Sequence, residues 1–539
     1  MEAVNTKGEQ VSHTRTRSRV LTERLGEYHI ISGRINDIAW DGDSQRIIAV
    51  GDGRERFGHC ITADSGNSVG EISGHSSIIN SVSIRQQRPL RAATGSDDSS
   101  MVFLHGAPFK FATKLAGLHK GYVYGVAFSP DGSRLVSVGA DRRIQLYDGK
   151  TGEATVQVGE GEHKGSIFGV SWAKDSKRFV TASADQTVKL WDVEAGKAVQ
   201  TWHFGGDGNV NIPDHQVGVV WPAGRSDGIV ISLNLNGDLN YLSEGSQKPV
   251  KIVEGHNRSV TAIGKSEKGQ TLWTGSFEGR VCHWDIPTGV GSAVEGQTHT
   301  NQVSAFANTP DRVYSVGWDD TLRIVDEPGK VFVGETSKLA AQPKGIASAG
   351  GRVFVATLSG VEIFFKDKSV GKLAAKDYTP TTIAATGDLV AVGDEANTVH
   401  IFTADSSHKL SPVESLKNST AQITALAFSP SGALLAAGNS SGKIVVYDTK
   451  SWEVVTDRWS AHTARVTTIS WNDESTHAVS GGLDTNVFVW SLKMPGKRVK
   501  APNAHKDGVN GVCWVEGSTK VASVGGDAAI KIWKVENLQ

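Results

Sequence analysis

The stretch His163–Ala198, HKGSIFGVSWAKDSKRFVTASADQTVKLWDVEAGKA, repeats almost position by position a stretch that begins 44 residues earlier at His119, HKGYVYGVAFSPDGSRLVSVGADRRIQLYDGKTGEA. Each copy contains short runs rich in Val, Ile, Leu and aromatic residues, separated by turns rich in Gly, Asp, Ser and Lys. Such runs predict short antiparallel strands joined by tight turns. With the outer run AVQTW, one unit holds four strands in about 43 residues.

The unit recurs along the chain. His75 lies 44 residues before His119, and AHTARVTTISW and AHKDGVNGVCW, which contain His462 and His505, are 43 residues apart. Four strands in this length are typical of one blade of a WD-repeat β-propeller. We place the starts of twelve blades, three of them (206, 344 and 379) mainly by spacing, near residues 33, 75, 120, 164, 206, 257, 300, 344, 379, 420, 464 and 506.

Twelve blades exceed the four to eight of one ring, so the predicted fold is all-β, with tandem WD-repeat propellers. We expect a disordered basic tail at 1–26, an N-terminal propeller of about five blades at 27–256, and a seven-bladed C-terminal propeller at 257–539. The last blade ends after its third strand, so its fourth strand is expected from elsewhere. GWDD at 317–320 resembles the end of a WD unit but falls in the turn before a third strand.

Composition excludes several classes of function. The 56 basic and 57 acidic residues nearly cancel, which argues against binding nucleic acid or a membrane surface by bulk charge. The three cysteines, Cys60, Cys282 and Cys513, are far apart and form no CxxC pattern, so we expect no disulfide framework, no zinc site and a reducing compartment. No apolar run is long enough to span a bilayer.

His163, Ser183 and Asp185 invite comparison with a catalytic triad. We interpret them instead, together with Trp191, as the buried hydrogen-bonded set that fixes the register of a WD blade. The blade at 120 keeps the His and the Asp but carries Gly139 and Tyr147 at the other two positions. A hydrogen-bonded set with a structural role can vary in this way from one repeat to the next, whereas a catalytic nucleophile would not. We therefore expect no enzyme, no metal site and no cofactor.

One hairpin departs from the repeat. GDGRERFGHC at 51–60 is about four residues longer than the corresponding hairpin at 183–192, and the added residues are RERF. One interpretation is a solvated loop with an internal Arg–Glu pair and a Phe folded back. Arg and aromatic residues are also the types that anchor protein interfaces, which suggests a binding surface that includes Glu55.

Two further segments extend this surface. GSDDSS places Asp97 in the next hairpin, and HKGYV places Tyr122 at the following blade start. Because these hairpins and blade-start loops open on one face of a propeller, we expect Glu55, Asp97 and Tyr122 on one rim. GAPFKF places Lys110 and Phe111 on an outer strand, which is expected to be a different surface.

The segments GDGRERFGH, RPLRAATGSDDSS, GAPFKF and HKGYV, with the KLWD blade that follows, resemble the actin-interacting protein 1 family from about residue 27 to the end. The resemblance implies two linked propellers that bind cofilin-decorated actin filaments, promote their disassembly and help cap barbed ends. It implies a cytoplasmic protein of the actin cytoskeleton, at cortical patches, with no nucleic-acid or membrane partner. Carried over by motif, the actin- or cofilin-binding residues are Glu55, Asp97, Lys110, Phe111 and Tyr122, the last often Phe in the family.

The family pattern has fourteen blades, and this sequence yields twelve, with the deficit at the front. We therefore expect an open first ring, or a shortened sequence, with exposed apolar blade faces that lower solubility and melting temperature. A generic WD-repeat scaffold, such as a substrate receptor of a ubiquitin ligase, is the alternative function. It would require partner-docking segments outside the blades, and the sequence contains none that we recognise.

Overall fold

The computed structural model describes residues 28–54, 56–205, 211–266 and 270–536, so the predicted tail at 1–26 lies outside the described residues. In these ranges twelve antiparallel sheets follow one another, eleven with four strands and the last with three. We number them blades 1 to 12. The predicted all-β fold of repeated blades is confirmed, including the three blades placed mainly by spacing. No helix in the described ranges is long and apolar enough to cross a membrane.

The chain divides into two compact units, the first ending at Val253 and the second beginning at Glu254. The first unit contains blades 1 to 5 and one 3₁₀ turn, Ile212–Asp214, before β17. Its strands are, blade by blade, β1 Ile35–Trp40, β2 Arg46–Gly51, β3 Gly58–Thr62, β4 Ser68–Glu71; β5 Ile79–Ile84, β6 Arg91–Ser96, β7 Met101–His105, β8 Lys110–Leu115; β9 Val123–Phe128, β10 Arg134–Gly139, β11 Ile144–Asp148, β12 Ala154–Val158; β13 Ile167–Trp172, β14 Arg178–Ser183, β15 Thr187–Asp192, β16 Lys197–His203; β17 Gln216–Val220, β18 Val230–Asn234, β19 Leu239–Leu242, β20 Lys251–Val253.

The second unit contains blades 6 to 12. Its strands are, in the same order, β21 Val260–Lys265, β22 Thr271–Ser276, β23 Val281–Asp285, β24 Gly291–Ala293; β25 Val303–Thr309, β26 Arg312–Gly317, β27 Thr321–Asp326, β28 Val331–Lys338; β29 Pro343–Ala349, β30 Arg352–Thr357, β31 Gly360–Phe365, β32 Lys368–Ala374; β33 Pro380–Thr386, β34 Leu389–Asp394, β35 Val399–Ala404, β36 Leu410–Leu416; β37 Ile423–Phe428, β38 Leu434–Asn439, β39 Ile444–Asp448, β40 Val454–Trp459; β41 Val466–Trp471, β42 His477–Gly482, β43 Val487–Ser491, β44 Arg498–Ala501; β45 Val509–Glu516, β46 Lys520–Gly525, β47 Ile530–Lys534.

Within each unit, consecutive blades pack face to face. Successive side chains of a strand point to opposite faces of the sheet, so each blade turns one set of apolar residues to the next blade and the other set to the preceding one. In blade 4, Val180 and Ala182 of β14 and Leu190 of β15 pack with Val230 and Leu242 of blade 5, and all five are at most 2% exposed. Each fully buried aliphatic side chain contributes about 1.5–3 kcal/mol, so these faces dominate the stability of the fold.

A recurring hydrogen bond ties the inner strand of several blades to the next blade. The second residue of the first strand donates through its side chain to the first backbone carbonyl of the following inner strand, as Asn80 does to Val123 at 3.1 Å. In the second unit Thr261 and three other threonines do the same. Asn510 of blade 12 donates to Val260 of blade 6 at 2.8 Å, which closes the second unit into a seven-bladed ring.

The buried polar set of blade 4 corrects one prediction. His163 Nε2 lies 2.8 Å from Thr181 Oγ1, and Trp191 Nε1 donates to the same oxygen at 2.7 Å, whereas Ser183 takes no part. Ser183 is the last residue of its strand, and its hydroxyl is used by the turn, donating to the Gly165 carbonyl and accepting from the backbone N–H of Asp185. The prediction of Ser183 was wrong because two residues on the same face of one strand cannot be told apart by spacing.

The same correction applies to blade 3. The hydroxyl that His119 contacts is that of Ser137, at 2.7 Å, and Tyr147 reaches this hydroxyl at 2.9 Å in place of a Trp. Gly139 lies outside the set, so this blade has lost no member. This differs from the interpretation of its sequence, which took Gly139 as a lost position. Hydroxyls bonded in this way to the blade His are found in seven blades, at Thr94, Ser137, Thr181, Thr274, Ser315, Ser480 and Ser523.

Candidate protein-binding rim of the first unit

The rim is built by one backbone hydrogen bond that repeats from blade to blade. The residue after the second strand donates its N–H to a carbonyl just before the first strand, as Asp97 does to Ile78 and Ala140 does to Tyr122, at 3.0 and 2.8 Å. Each hairpin between second and third strands is therefore held beside the blade-start loop. We call the residues at these hairpins and loops in blades 2 to 4 the rim.

The two aspartates of GSDDSS have different roles. Asp98 lies beneath the surface, where His75 Nδ1, Ser100 Oγ and Lys114 Nζ contact its carboxylate. Burial by itself would raise the pKa of Asp98, but the hydrogen bonds from Ser100, Lys114 and a backbone N–H outweigh it and hold that pKa below its usual range. Asp98 therefore belongs to the buried set of the blade, which leaves Asp97 for the rim.

Asp97 is oriented by a neighbour that the sequence did not single out. The side-chain amide of Asn80 donates to Asp97 Oδ1 at 2.7 Å and to the carbonyl of Val123 at 3.1 Å. One amide thus fixes the carboxylate and also joins blade 2 to the residue that follows Tyr122. The structure accordingly brings Asp97 and Tyr122 to the same part of the rim, across the boundary between two blades.

Tyr122 is the exposed end of an aromatic row. Its side chain is 50% exposed, and its ring meets the ring of Tyr124 edge-on with centroids 6.2 Å apart. Tyr124 lies in turn 5.2 Å from the ring of Phe168 in blade 4. Burial raises the pKa of Tyr124, with smaller contributions from the charges of Asp97 and Tyr122, so its hydroxyl stays neutral at physiological pH.

Tyr124 and Phe168 could have been found in the sequence. They occupy the second position of the first strand, where Asn36, Asn80 and Thr261 carry the donor that bonds the next blade. An aromatic residue at that position in two adjacent blades therefore breaks the repeat, and ring packing replaces the hydrogen bond.

Lys110 and Phe111 lie at the other end of blade 2. Lys110 pairs with His105, the last residue of β7, whereas the hairpin with Asp97 precedes Met101, the first residue of β7. The strand between them is about 13 Å long, so these two residues do not join the rim. Both are exposed, Phe111 by 47%, while Phe109 of the same GAPFKF segment is fully buried in the core of blades 1 and 2.

The long hairpin of blade 1 is only partly a surface feature. Glu55 lies outside the described residues, so the hairpin is described here from Phe57 and Arg56. Phe57 folds back against the apolar core between blades 1 and 2, and its carbonyl accepts from the backbone N–H of Gly51 at 2.7 Å. Arg56 lies 3.7 Å from Glu71, with both side chains about half exposed. The aromatic residue of RERF therefore anchors the loop.

No group of three or more His, Cys, Asp or Glu side chains in the described part of the chain is arranged to hold a metal ion. What the rim offers is a fixed carboxylate beside an exposed aromatic ring. Such a combination suits recognition of another protein, since aromatic residues dominate the energetics of interfaces and an oriented carboxylate adds specificity.

Comparison with known proteins agrees with this architecture. The WD domain, G-beta repeat family matches residues 66–103, 114–148, 156–192, 247–285 and 496–534, and the Vps8 beta-propeller family matches residues 375–502. An uncharacterized WD repeat-containing protein of Schizosaccharomyces pombe is 45% identical over 436 residues, covering 80% of this chain and 71% of the relative.

Two further relatives are named for what they contain or bind. WD repeat-containing protein 1-B of Xenopus laevis is 39% identical, covering 81% of this chain and 71% of the relative. Actin-interacting protein 1 of Drosophila melanogaster is 35% identical over the same shares of the two chains. The chain belongs to the actin-interacting protein 1 family of WD-repeat proteins. The resemblance inferred from the quoted motifs is thereby confirmed, and this member of the actin-interacting protein 1 family carries the rim on the first of its two units.

Proposed function

We propose that this chain binds actin filaments decorated with cofilin, promotes their disassembly and helps cap their barbed ends, acting by binding and without catalysis. Family membership supports the actin part of the proposal, because relatives that are 35% identical over about 80% of this chain are named actin-interacting protein 1. The same proposal places the protein in the cytoplasm with the actin cytoskeleton, at cortical patches. In the proposed complex, the rim and the outer strand β8 contact cofilin as well as actin.

The single observation that carries the site proposal is the pair formed by Asp97 and Tyr122. The carboxylate of Asp97 is held by Asn80 before any partner arrives, so little conformational entropy is lost when it is engaged. Tyr122 is half exposed although its neighbour Tyr124 is largely covered. An exposed aromatic ring beside a fixed charge has the character of an interface hot spot.

We assign Lys110 and Phe111 to a second contact region on β8, separate from the rim. A filament subunit and a cofilin molecule are two different surfaces, and two separated contact regions on one blade suit a ligand composed of both. Glu55, in the long hairpin of blade 1, is included in the proposed binding set on the strength of its motif.

Co-sedimentation with actin filaments tests the function. The wild-type chain is expected to pellet with cofilin-decorated filaments more than with bare filaments, and to increase the actin left in the supernatant. Truncating Tyr122 to Ala should weaken binding by at least about tenfold, since hot-spot truncations cost about 2 kcal/mol or more. Phe111→Ala should weaken pelleting as well.

Two matched controls separate binding from folding. Val199→Ala removes an equally exposed apolar side chain (50%) from β16, and Glu194→Gln removes an exposed carboxylate from the same blade. Both should pellet like wild type. If wild type fails to pellet with either kind of filament, the function is wrong; if Tyr122→Ala and Val199→Ala behave alike, the rim is not the site.

A further inference from the structure

The carboxylate of Asp97 is held in place on one side and has no counter-charge on the other. Its Oδ1 accepts from the side-chain amide of Asn80 at 2.7 Å. Among the residues that the structure describes, none forms an ion pair with this half-buried carboxylate. A charge that a partner will cover gains most from a group of opposite charge, since an unpaired charge in an interface costs free energy. The second oxygen of Asp97 is therefore suited to receive a cation from another molecule.

The basic residues of the neighbouring rim do not supply this cation. Lys114 of the same blade is bound to the adjacent carboxylate of Asp98, at 2.9 Å. Lys120 and Arg142 of blade 3 are exposed and form no ion pair with Asp97. The difference between the two aspartates is therefore one of electrostatics as well as of burial, because Asp98 has its lysine and Asp97 has none.

Blade 1 shows what such a carboxylate binds when the chain itself supplies the partner. Asp52 occupies the position of Asp97, because its backbone N–H makes the same rim hydrogen bond, to the carbonyl of Arg34. The guanidinium of Arg34 lies 3.6 Å from Asp52 Oδ2. The residue equivalent to Arg34 in blade 2 is Ile78, whose carbonyl accepts from Asp97. Because blade 2 has an isoleucine where blade 1 has an arginine, Asp97 lacks the guanidinium that its counterpart has.

Two tyrosine rings lie in the same part of the rim as this carboxylate. Asn80, which holds Asp97, also donates to the carbonyl of Val123, the residue between the two tyrosines. The rings of Tyr122 and Tyr124 meet edge-on, and that of Tyr122 is half exposed. Burial raises the pKa of Tyr124 and the charge of Asp97 adds to this effect, so the carboxylate is close enough to act on the phenol. Aromatic faces attract cations, and most strongly where water is excluded.

We propose that Asp97 and the rings of Tyr122 and Tyr124 receive an arginine side chain of the cofilin-decorated filament. The guanidinium pairs with the free oxygen of the Asp97 carboxylate and packs against the exposed ring of Tyr122. Arginine suits both contacts, because its guanidinium is planar and weakly hydrated and stacks on aromatic faces while it pairs with a carboxylate. This inference rests on the proposed function and adds to it the chemistry of the group that the rim recognises.

Co-sedimentation with cofilin-decorated filaments measures the contribution of the carboxylate. Asp97→Asn removes the charge but keeps an oxygen that can accept from Asn80, so the rim keeps its structure. We expect binding to weaken by at least about 30-fold, the usual effect of truncating one partner of a hydrogen-bonded charge pair in an interface. Glu194→Gln, which removes an exposed carboxylate from blade 4, should bind like wild type. If Asp97→Asn also binds like wild type, the inference is wrong and the proposed function stands.

Two variants of Tyr122 distinguish a cation site from an apolar anchor. Tyr122→Phe keeps the aromatic face and should bind the decorated filaments like wild type. Tyr122→Leu keeps a large apolar side chain but has no ring, and we expect it to bind about tenfold more weakly. Equal affinities of the Phe and Leu variants would show that apolar area alone matters, which would overturn the inference.

A probe without actin separates this inference from the proposed function. 4-Fluorophenylalanine is placed at position 122 of the full chain, or at position 199 as the control, and its fluorine NMR signal is followed while a capped Gly-Arg-Gly peptide is added to millimolar concentrations. We expect a shift of the signal at position 122 and none at position 199. The shift should be lost with Asp97→Asn, smaller with Gly-Lys-Gly and absent with Gly-Glu-Gly.

The absence of a shift with the arginine peptide, a shift that Asp97→Asn leaves unchanged, or an equal response to the lysine peptide would each overturn the inference. A response to the arginine peptide by a protein that does not pellet with filaments would contradict the proposed function alone. Pelleting without that response would contradict this inference alone.

Discussion

At the scale of single residues, the sequence predicts the chemistry of a site better than the identity of each member. His163, Asp185 and Trp191 were predicted from their spacing, and the structure brings them together around one hydroxyl. The hydroxyl belongs to Thr181 and not to Ser183, because the strand-end residue is used by its own turn. Similarly, Asp97 and Asp98 are adjacent in sequence, and only the hydrogen bonds assign one to the core and the other to the rim.

The hydroxyl of Thr181 determines the proton positions of its network. Trp191 Nε1 can only donate, so the Thr181 oxygen accepts from it and donates its own hydrogen to His163 Nε2. His163 then carries its proton on Nδ1 and donates it to Asp185 at 2.8 Å. Each of these polar groups therefore has at least one partner that matches it.

Replacing Thr181 by Ala should destabilise the protein by about 2–6 kcal/mol, because each buried polar group left without a partner costs about 1–3 kcal/mol and two are orphaned. Thr181→Ser keeps the hydroxyl and should cost about 1 kcal/mol, the value of one buried methyl group. Urea-induced unfolding followed by circular dichroism measures both. Equal losses for the two variants would show that the hydroxyl is not the feature that matters.

At the scale of strands and hairpins, the repeat period alone does not predict the positions of residues that depart from the repeat. The four extra residues of the blade 1 hairpin were visible in the sequence, but whether their Phe faces outward or inward depends on the adjacent core, into which Phe57 folds. The repeat period also does not predict which contacts the inner strands make. A side chain at their second position reaches the next blade, and this contact joins residues more than forty positions apart.

Asn510→Ala should lower the free energy of unfolding of the second unit by about 1–3 kcal/mol, since the Val260 carbonyl loses a buried donor at the closure of the ring. Asn510→Thr should restore most of this loss, because Thr makes the equivalent bond at Thr261, Thr424 and Thr467. Guanidinium-induced unfolding compares the two. A Thr variant as unstable as the Ala variant would contradict this role for the side chain.

At the scale of the whole molecule, the period of about 43 residues was sufficient to predict twelve blades, because each blade is built from local hairpins. Closure of the second unit is a contact between residues 510 and 260, and no local pattern encodes it. The rim could be predicted only in part. Asp97 and Tyr122 followed from motifs, and Tyr124 and Phe168 depart visibly from the repeat, whereas the role of Asn80 required the packing of neighbouring blades.

The repeated buried sets make stability depend on pH. Burial lowers the pKa of His75 and His462, with the adjacent carboxylates of Asp98 and Asp484 opposing this less strongly. In the unfolded chain a His titrates near 6.5, so below that pH the unfolded state binds more protons than the folded state. Stability is therefore present above about pH 6.5 and is lost as the pH falls.

The carboxylates act in the same direction at lower pH. Burial by itself would raise the pKa of Asp484, but hydrogen bonds from His462 and a backbone N–H outweigh it and lower that pKa. Its contribution is present above the unfolded value of about 3.9 and is lost as the pH falls through the folded value. Scanning calorimetry should show a melting temperature that falls from pH 7 to 5 and falls further below pH 4. A melting temperature unchanged from pH 7 to 5 would contradict the role of the histidines.

Site-specific photo-crosslinking tests most directly whether the rim of the first unit contacts the filament. A benzophenone side chain placed at position 122, and in a second protein at position 199 as the control, is irradiated with bare and with cofilin-decorated filaments. We expect crosslinks to actin or cofilin from position 122, stronger on decorated filaments, and none above background from position 199. Equal crosslinking from both positions, or none from position 122 while the protein still pellets with the filaments, would contradict the assignment of the rim.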